Sequence, residues 1–218
     1  MKGLFISVEG PDGSGKSTVI KSLREKLSQA FNDSREIIVT REPGGSPLAE
    51  KIRHTLLTTE NHSMDDRTEA LLFAAGRRQH VMELIRPALA RDAIILCDRF
   101  VDSSIAYQGA GRKIGMDEVR AINLFATEGL LPDITLFLDV DVERGLRRIA
   151  HVDSKRSLDR LELETIDFHR RVREGYFTLI KKDPKRFIMI DANQSIEKVL
   201  EESWNKLTHE LTARHYMQ

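Results

Sequence analysis

An apolar run, Leu4–Phe5–Ile6–Ser7–Val8, is followed directly by EGPDGSGKST, residues 9–18, and these two segments together constrain the fold more than any other part of the chain. From Gly10 to Ser17 they spell a complete G-x-x-x-x-G-K-[ST] string, placed where a strand should hand over to a helix. Glycines let the backbone curl around a phosphate without Cβ clashes. The loop N–H groups then converge on the anion, and the following helix adds its positive end. Lys16 is the point charge for the β- and γ-phosphates, and the Ser17 hydroxyl is a candidate Mg²⁺ ligand. The string predicts a bound nucleoside triphosphate and does not say what is done with it.

The remaining composition narrows the class. With 218 residues, 40% hydrophobic and 31% charged, the chain is of one-domain size and can bury a substantial core. Lys+Arg and Asp+Glu both total 34, so no global field points to nucleic acid or a membrane surface as partner. The N-terminal apolar run is too short for a signal peptide, and no window approaches the ~18 apolar residues of a membrane span. A lone cysteine, Cys97, excludes an internal disulfide framework and predicts a reducing, cytoplasmic setting. The seven histidines show no metal-ligand spacing.

Strand-length apolar runs at Leu4–Val8, Glu36–Thr40, Ala93–Cys97, Ile134–Asp139 and Phe187–Asp191 alternate with helical patterns near 16–31, 47–58, 66–90, 117–128, 141–151, 161–182 and 195–213. Several runs are continuously apolar, as in strands covered on both faces. The alternation predicts an α/β fold: a doubly wound, parallel, five-stranded sheet with helices on both faces, in one domain spanning 1–218. Asp141 and Ser195 are candidate N-caps. The polar segment 151–160 reads as a solvated loop on composition alone; a flap over the nucleotide is the alternative.

Other clusters sit at predicted strand ends. Asp98–Arg99 closes the third strand beside the phosphate loop, where Asp98 can hold Mg²⁺ and Arg99 can reach a phosphate. Thr40–Arg41–Glu42–Pro43–Gly44–Gly45 is a turn at the same edge, with Arg53 on the next helix. Phe73 and Arg77 share a helix face, an aromatic ring and a guanidinium able to stack on and bond a base. From that spacing alone, however, Phe73 reads as core and Arg77 as solvated. Asp102–Gly109 gathers hydroxyls, an amide and a phenol, which suit a sugar or base edge and equally a helix start.

Taken together these strings resemble the thymidylate kinase family of the P-loop nucleoside-monophosphate kinases. The match runs end to end: the loop with an acid at its third position, T-R-E-P-G-G, F-x-A-x-R, D-R, S-x-A-Y-Q-G, TLFLDV and L-D-R-L-E. The resemblance implies transfer of the ATP γ-phosphoryl to thymidylate (dTMP), giving dTDP, with Mg²⁺ on Ser17 and Asp98. It implies ATP on Gly10, Pro11, Asp12, Gly13, Ser14, Gly15, Lys16, Ser17 and Thr18, with Arg148 against adenine. Asp12 would bond the acceptor sugar, Phe73 stack on thymine and Arg77 bond its O4 edge. Ser104 and Gln108 would approach the other polar atoms of the base, and Tyr107 would crowd C2′. Arg41, Arg53 and Arg99 would clamp the acceptor phosphate. Lys16, Arg99, Asp12 and Arg160 would form the catalytic set.

Some family members carry an arginine in the loop just after the acid; this chain has Gly13 there. It thereby resembles the branch that supplies the cation from a lid, which turns 151–160 into that lid, with Arg160 as the cation and Arg156 as second candidate. Phe100 stands where Tyr or His is common. A homodimer is also implied. The nearest rival is another nucleotide kinase of the same fold. A GTPase-like switch is disfavoured, since Asn205–Lys206–Leu207–Thr208 lacks the aspartate of N-K-x-D.

Overall fold

A computed structural model describes residues 3–152 and 159–217. Five parallel strands, β1 (Leu4–Glu9), β2 (Ile37–Arg41), β3 (Ile94–Asp98), β4 (Ile134–Asp139) and β5 (Phe187–Asp191), form one sheet in the order β2-β3-β1-β4-β5. This is the doubly wound α/β sheet that the strand–helix alternation predicts. β1 is central and all six of its residues are buried, which explains its unbroken apolar run. Side chains alternate across the sheet. Leu4, Ile6 and Val8 face a cluster with Val19, Leu23 and Leu27 of α1 (Lys16–Ala30) and Leu207 and Leu211 of α9 (Ile196–Ala213). Phe5 faces the opposite cluster, with Phe100, Phe137 and helix residues described next.

That second cluster takes Leu56 from α2 (Pro47–Leu57), Phe73 from α3 (Asp66–His80), and Phe168, Val172 and Tyr176 from α8 (Ile166–Lys182). The Asp65 carboxylate caps α3 by accepting from the Arg67 and Thr68 N–H groups. The expected helix 66–90 is continuous but not uniform: a π-helical turn, Val81–Ile85, joins α3 to α4 (Arg86–Ala90). Pro87 lacks the N–H that a regular ladder would need there.

One helical stretch was not expected in full. Residues after Phe100 form α5 (Val101–Ser104), which runs on as a π-helical segment, Ile105–Gly111. α6 (Met116–Thr127) and α7 (Val142–Val152) complete the set. Ser195 stands at the N-cap position of α9 but makes no side-chain capping bond. Within the lid segment, residues 153–158, Arg156 included, lie outside the described residues.

Candidate active site

Three strand ends lie level. Val8 and Arg41 both pair with Asp98 in register, so the phosphate loop, the T-R-E-P-G-G turn and the D-R pair meet at one rim. A cleft of about 660 Å³ opens there. The predicted loop residues Asp12, Gly13, Ser14, Gly15, Lys16, Ser17 and Thr18 line it, as do Arg41, Arg53, Phe73, Arg77, Asp98 and Arg99. Ser104, Tyr107, Gln108 and Arg148 complete the predicted lining. Gly10, Pro11 and Arg160 are not part of that wall.

At the loop, α1 begins after Gly15 in the left-handed region (φ 92°), and no side chain caps it. Its first N–H groups are therefore free for an anion. The Lys16 ammonium donates to the carbonyls of Gly10 (3.1 Å) and Pro11 (3.0 Å), which gives those two residues their part in the site. Burial, with Arg99 nearby, lowers its pKa to about 8. Gly13 also has positive φ (74°), and a Cβ there would lie 2.2 Å from the Gly145 carbonyl oxygen of α7. No side chain fits, which gives the missing loop arginine a steric reason.

Arg99 adopts φ +68°, a conformation costly for a side-chain-bearing residue, and the surroundings over-determine it. Its N–H donates to Val8 O (3.0 Å). Its guanidinium donates to Asp12 Oδ1 (2.5 Å), Gly10 O (3.0 Å), Ser103 Oγ (3.1 Å) and the Tyr107 hydroxyl (3.0 Å). The Tyr107 hydroxyl in turn donates to Asp12 Oδ2 (2.8 Å). Burial alone would raise the Asp12 pKa; Arg99, Lys16 and this hydroxyl bring it down to about 2. Beneath them Glu9 is fully buried and accepts from Phe100 N (2.7 Å), Ser103 Oγ (2.5 Å) and the Tyr176 hydroxyl (2.9 Å). Burial and the Asp102 charge push its pKa up to about 7.

At the far end, Phe73 is 8% exposed and belongs both to the core and to the cleft wall. Arg77 is not solvated, against the reading from spacing alone: it is 2% exposed. Its Nε donates to Glu42 Oε2 (2.6 Å), Nη1 to Ser104 Oγ (2.9 Å) and to Asn123 Oδ1, and Nη2 to Phe100 O (3.0 Å). The other Glu42 oxygen meets His80 Nδ1 (2.9 Å), while Thr40 Oγ1 meets His80 Nε2 (2.8 Å). The carboxylate only accepts, so Nδ1 donates to it. Phe100 is wholly buried, edge-on to Phe5 at 4.8 Å and beneath the Arg77 guanidinium, so a polar ring tip there would have little water to meet.

The outer cations are held more loosely. Arg41 pairs with Glu50 at 3.0 Å near the surface, Arg53 donates to Pro43 O (2.7 Å), and Arg148 donates to Gly13 O (3.2 Å). Arg160, expected among the phosphates, is instead 9% exposed and bound to Glu69 Oε2 (2.6 Å) and Leu56 O (3.0 Å). Glu9, Glu42, Glu69 and His80 went unassigned in the sequence. Glu42 had a signal there, inside T-R-E-P-G-G, and Glu9 opens the EGPDGSGKST string; Glu69 and His80 had none.

Uncapped helix, buried loop lysine and level strand ends define a P-loop nucleotide-binding protein with a second, side-chain-built recess beside its phosphate site. Comparison with known proteins gives the particular family. The thymidylate kinase family model matches residues 8–203. A protein named thymidylate kinase from Pediococcus pentosaceus is 55% identical over 199 residues, covering 91% of this chain and 94% of its own. One of the same name from Enterococcus faecalis is 52% identical over 207 residues, covering 95% and 96%. The crystal structure of thymidylate kinase from Ehrlichia chaffeensis superposes with a TM-score of 0.75 at 34% identity, covering 95% of this chain and 99% of that one. The chain belongs to the thymidylate kinase family.

Proposed function

We propose that this chain transfers the γ-phosphoryl group of ATP to the 5′-phosphate of thymidylate, giving thymidine diphosphate and ADP. One observation carries the reading: a single cleft joins an uncapped helix start holding a buried lysine to a recess where Phe73 and the fixed Arg77 stand together. The first end suits a triphosphate and the second a pyrimidine with an acceptor oxygen. An oxygen of the acceptor phosphate attacks the γ-phosphorus as the bond to the ADP oxygen breaks. That nucleophile is already anionic, so positioning and charge neutralisation dominate over base catalysis. Lys16 would balance the donor phosphates. Arg99, preorganised by Asp12, Tyr107 and Ser103, would hold the acceptor phosphate, with Arg41 and Arg53 at its rim.

Mg²⁺ fits the residues present. Asp98 Oδ1 is buried without a partner among the described residues, and Ser17 lines the same wall. No cluster of three His, Cys, Asp or Glu suited to a metal occurs among the described residues, so Ser17, Asp98 and the phosphates would hold the ion between them. When bound it supplies charge neutralisation at the phosphates.

A homodimer is part of the proposal. Leu71, Met82 and Phe125, the last 87% exposed, leave apolar surface on α3, its π-helical continuation and α6. Phe125→Glu is expected to shift the sedimenting species to a monomer. The compartment proposed is the cytoplasm, which holds ATP and keeps the single thiol, Cys97, reduced. The functional test is an acceptor panel with labelled ATP: thymidylate, uridylate, deoxyuridylate, cytidylate and no acceptor. Thymidylate is expected to lead. Deoxyuridylate should follow at a disadvantage of only about 1–3 kcal/mol, since one methyl separates them. Turnover without an acceptor would point to a nucleotide switch instead.

A further inference from the structure

Gln108 lines the cleft at 1% exposure, and the two ends of its amide are treated differently. Nε2 donates to Glu69 Oε1 at 2.8 Å, while Oε1 has no partner among the described residues. Glu69 is itself fully buried. Arg112 donates to both its oxygens, Nε to Oε1 (3.3 Å) and Nη2 to Oε2 (3.0 Å), and Arg160 Nη1 reaches Oε2 at 2.6 Å. A carboxylate set between two guanidinium groups can only accept. Turning the Gln108 amide round would bring oxygen against oxygen in a dry site, where an unpaired polar contact is costly.

We propose that Glu69, clamped by Arg112 and Arg160, is a positioning residue that makes Gln108 present an acceptor oxygen to the base, so that the site selects a pyrimidine bearing hydrogen at ring N3. The inference rests on the thymidylate reading and sharpens it. Arg77 offers only donors, so the two side chains form a donor–acceptor pair of fixed polarity. Thymine carries oxygen at C4 and hydrogen at N3 and matches that polarity. Cytosine carries an amino group and a lone pair there and opposes it twice. Arg160 then has a task away from the phosphates: it holds the carboxylate that holds the amide.

Glu69→Gln tests this without changing side-chain shape. The new amide oxygen is drawn to the guanidinium groups at the Oε2 position, which leaves its NH₂ facing Gln108. Gln108 must then turn and offer its own NH₂ to the cleft. The probe is O4-methylthymidylate, in which N3 carries a lone pair while oxygen stays at C4. The ratio of kcat/KM for thymidylate over this probe is expected to fall by roughly tenfold or more relative to the unsubstituted enzyme. An unchanged ratio, or an even loss on both acceptors, overturns the positioning role. If Glu69→Gln does not fold, Arg160→Met loosens the same carboxylate. The thymidylate KM should then rise by a larger factor than kcat falls. A drop in kcat at constant KM overturns the inference and returns Arg160 to the transition state. An unsubstituted enzyme inactive on thymidylate defeats the functional reading itself; an active one with an unmoved ratio defeats only the role of Glu69.

Discussion

The proposed donor-phosphate end of the cleft is built on one run, Gly10–Thr18, which offers backbone N–H groups, a helix start and one lysine. The proposed base end draws Thr40, Glu42, Phe73, Arg77, His80, Gln108 and Asn123 from β2 and the turn after it, α3, the π-helical segment and α6, and buried ion pairs and hydrogen bonds fix all of them but Phe73. A phosphate asks only for charge and convergent donors, which a short loop can supply locally. A base asks for donors and acceptors of set polarity at set angles. Side chains hold such angles only when each is braced by another, so the bracing reaches across the fold.

The sharpest way to break this contrast is to strip a brace. Glu42→Ala leaves Arg77 buried beside no carboxylate and is expected to cost about 3–5 kcal/mol of stability, read from the denaturant midpoint. A midpoint like that of the parent would mean the base end is not held as described. At the other end, Lys16→Met should leave the midpoint nearly unmoved and lower kcat by about 10²–10³-fold. The lysine also sets a pH limb. Its pKa is lowered by burial and by Arg99 to about 8, so it is charged below that pH and neutral above it. kcat/KM should therefore fall as pH rises through about 8. Bound phosphates favour the charged form, so the corresponding fall in kcat should lie at higher pH; coincident limbs would remove Lys16 from the phosphate site. The smallest effect is expected from Phe73→Ala, about 1–3 kcal/mol in thymidylate affinity on the base–aromatic scale. Calorimetric titration measures it separately from the stability this core residue also provides, and unchanged affinity would leave Phe73 a core residue only.

The same contrast governs what could be read in advance. The inner strands β1, β3 and β4 were legible because parallel strands buried on both faces are continuously apolar, and β4 and β5 begin and end where their runs do. The phosphate loop was legible because its parts are contiguous. Arg77 looked solvated because its counter-charge, Glu42, lies on a distant turn. Residues 101–111 did not read fully as helix, because Ser103, Ser104, Tyr107 and Gln108 are polar yet buried, facing a cleft and a carboxylate rather than water. Glu69 resembled an ordinary first-turn acid on α3; nothing in its neighbourhood along the chain names Gln108, Arg112 or Arg160 as its partners.

Gly13 and Gly145 press backbone to backbone, since a Cβ on Gly145 would in turn lie 2.4 Å from the Asp12 carbonyl oxygen. The nucleotide loop and the first turns of α7 are thus seated like two flush plates with no gap for a shim. Relocating a cation into the loop would require both plates to part, so a single substitution at either glycine should jam the seat rather than donate a charge. A side chain at position 13 would have to wait until that helix had been re-laid.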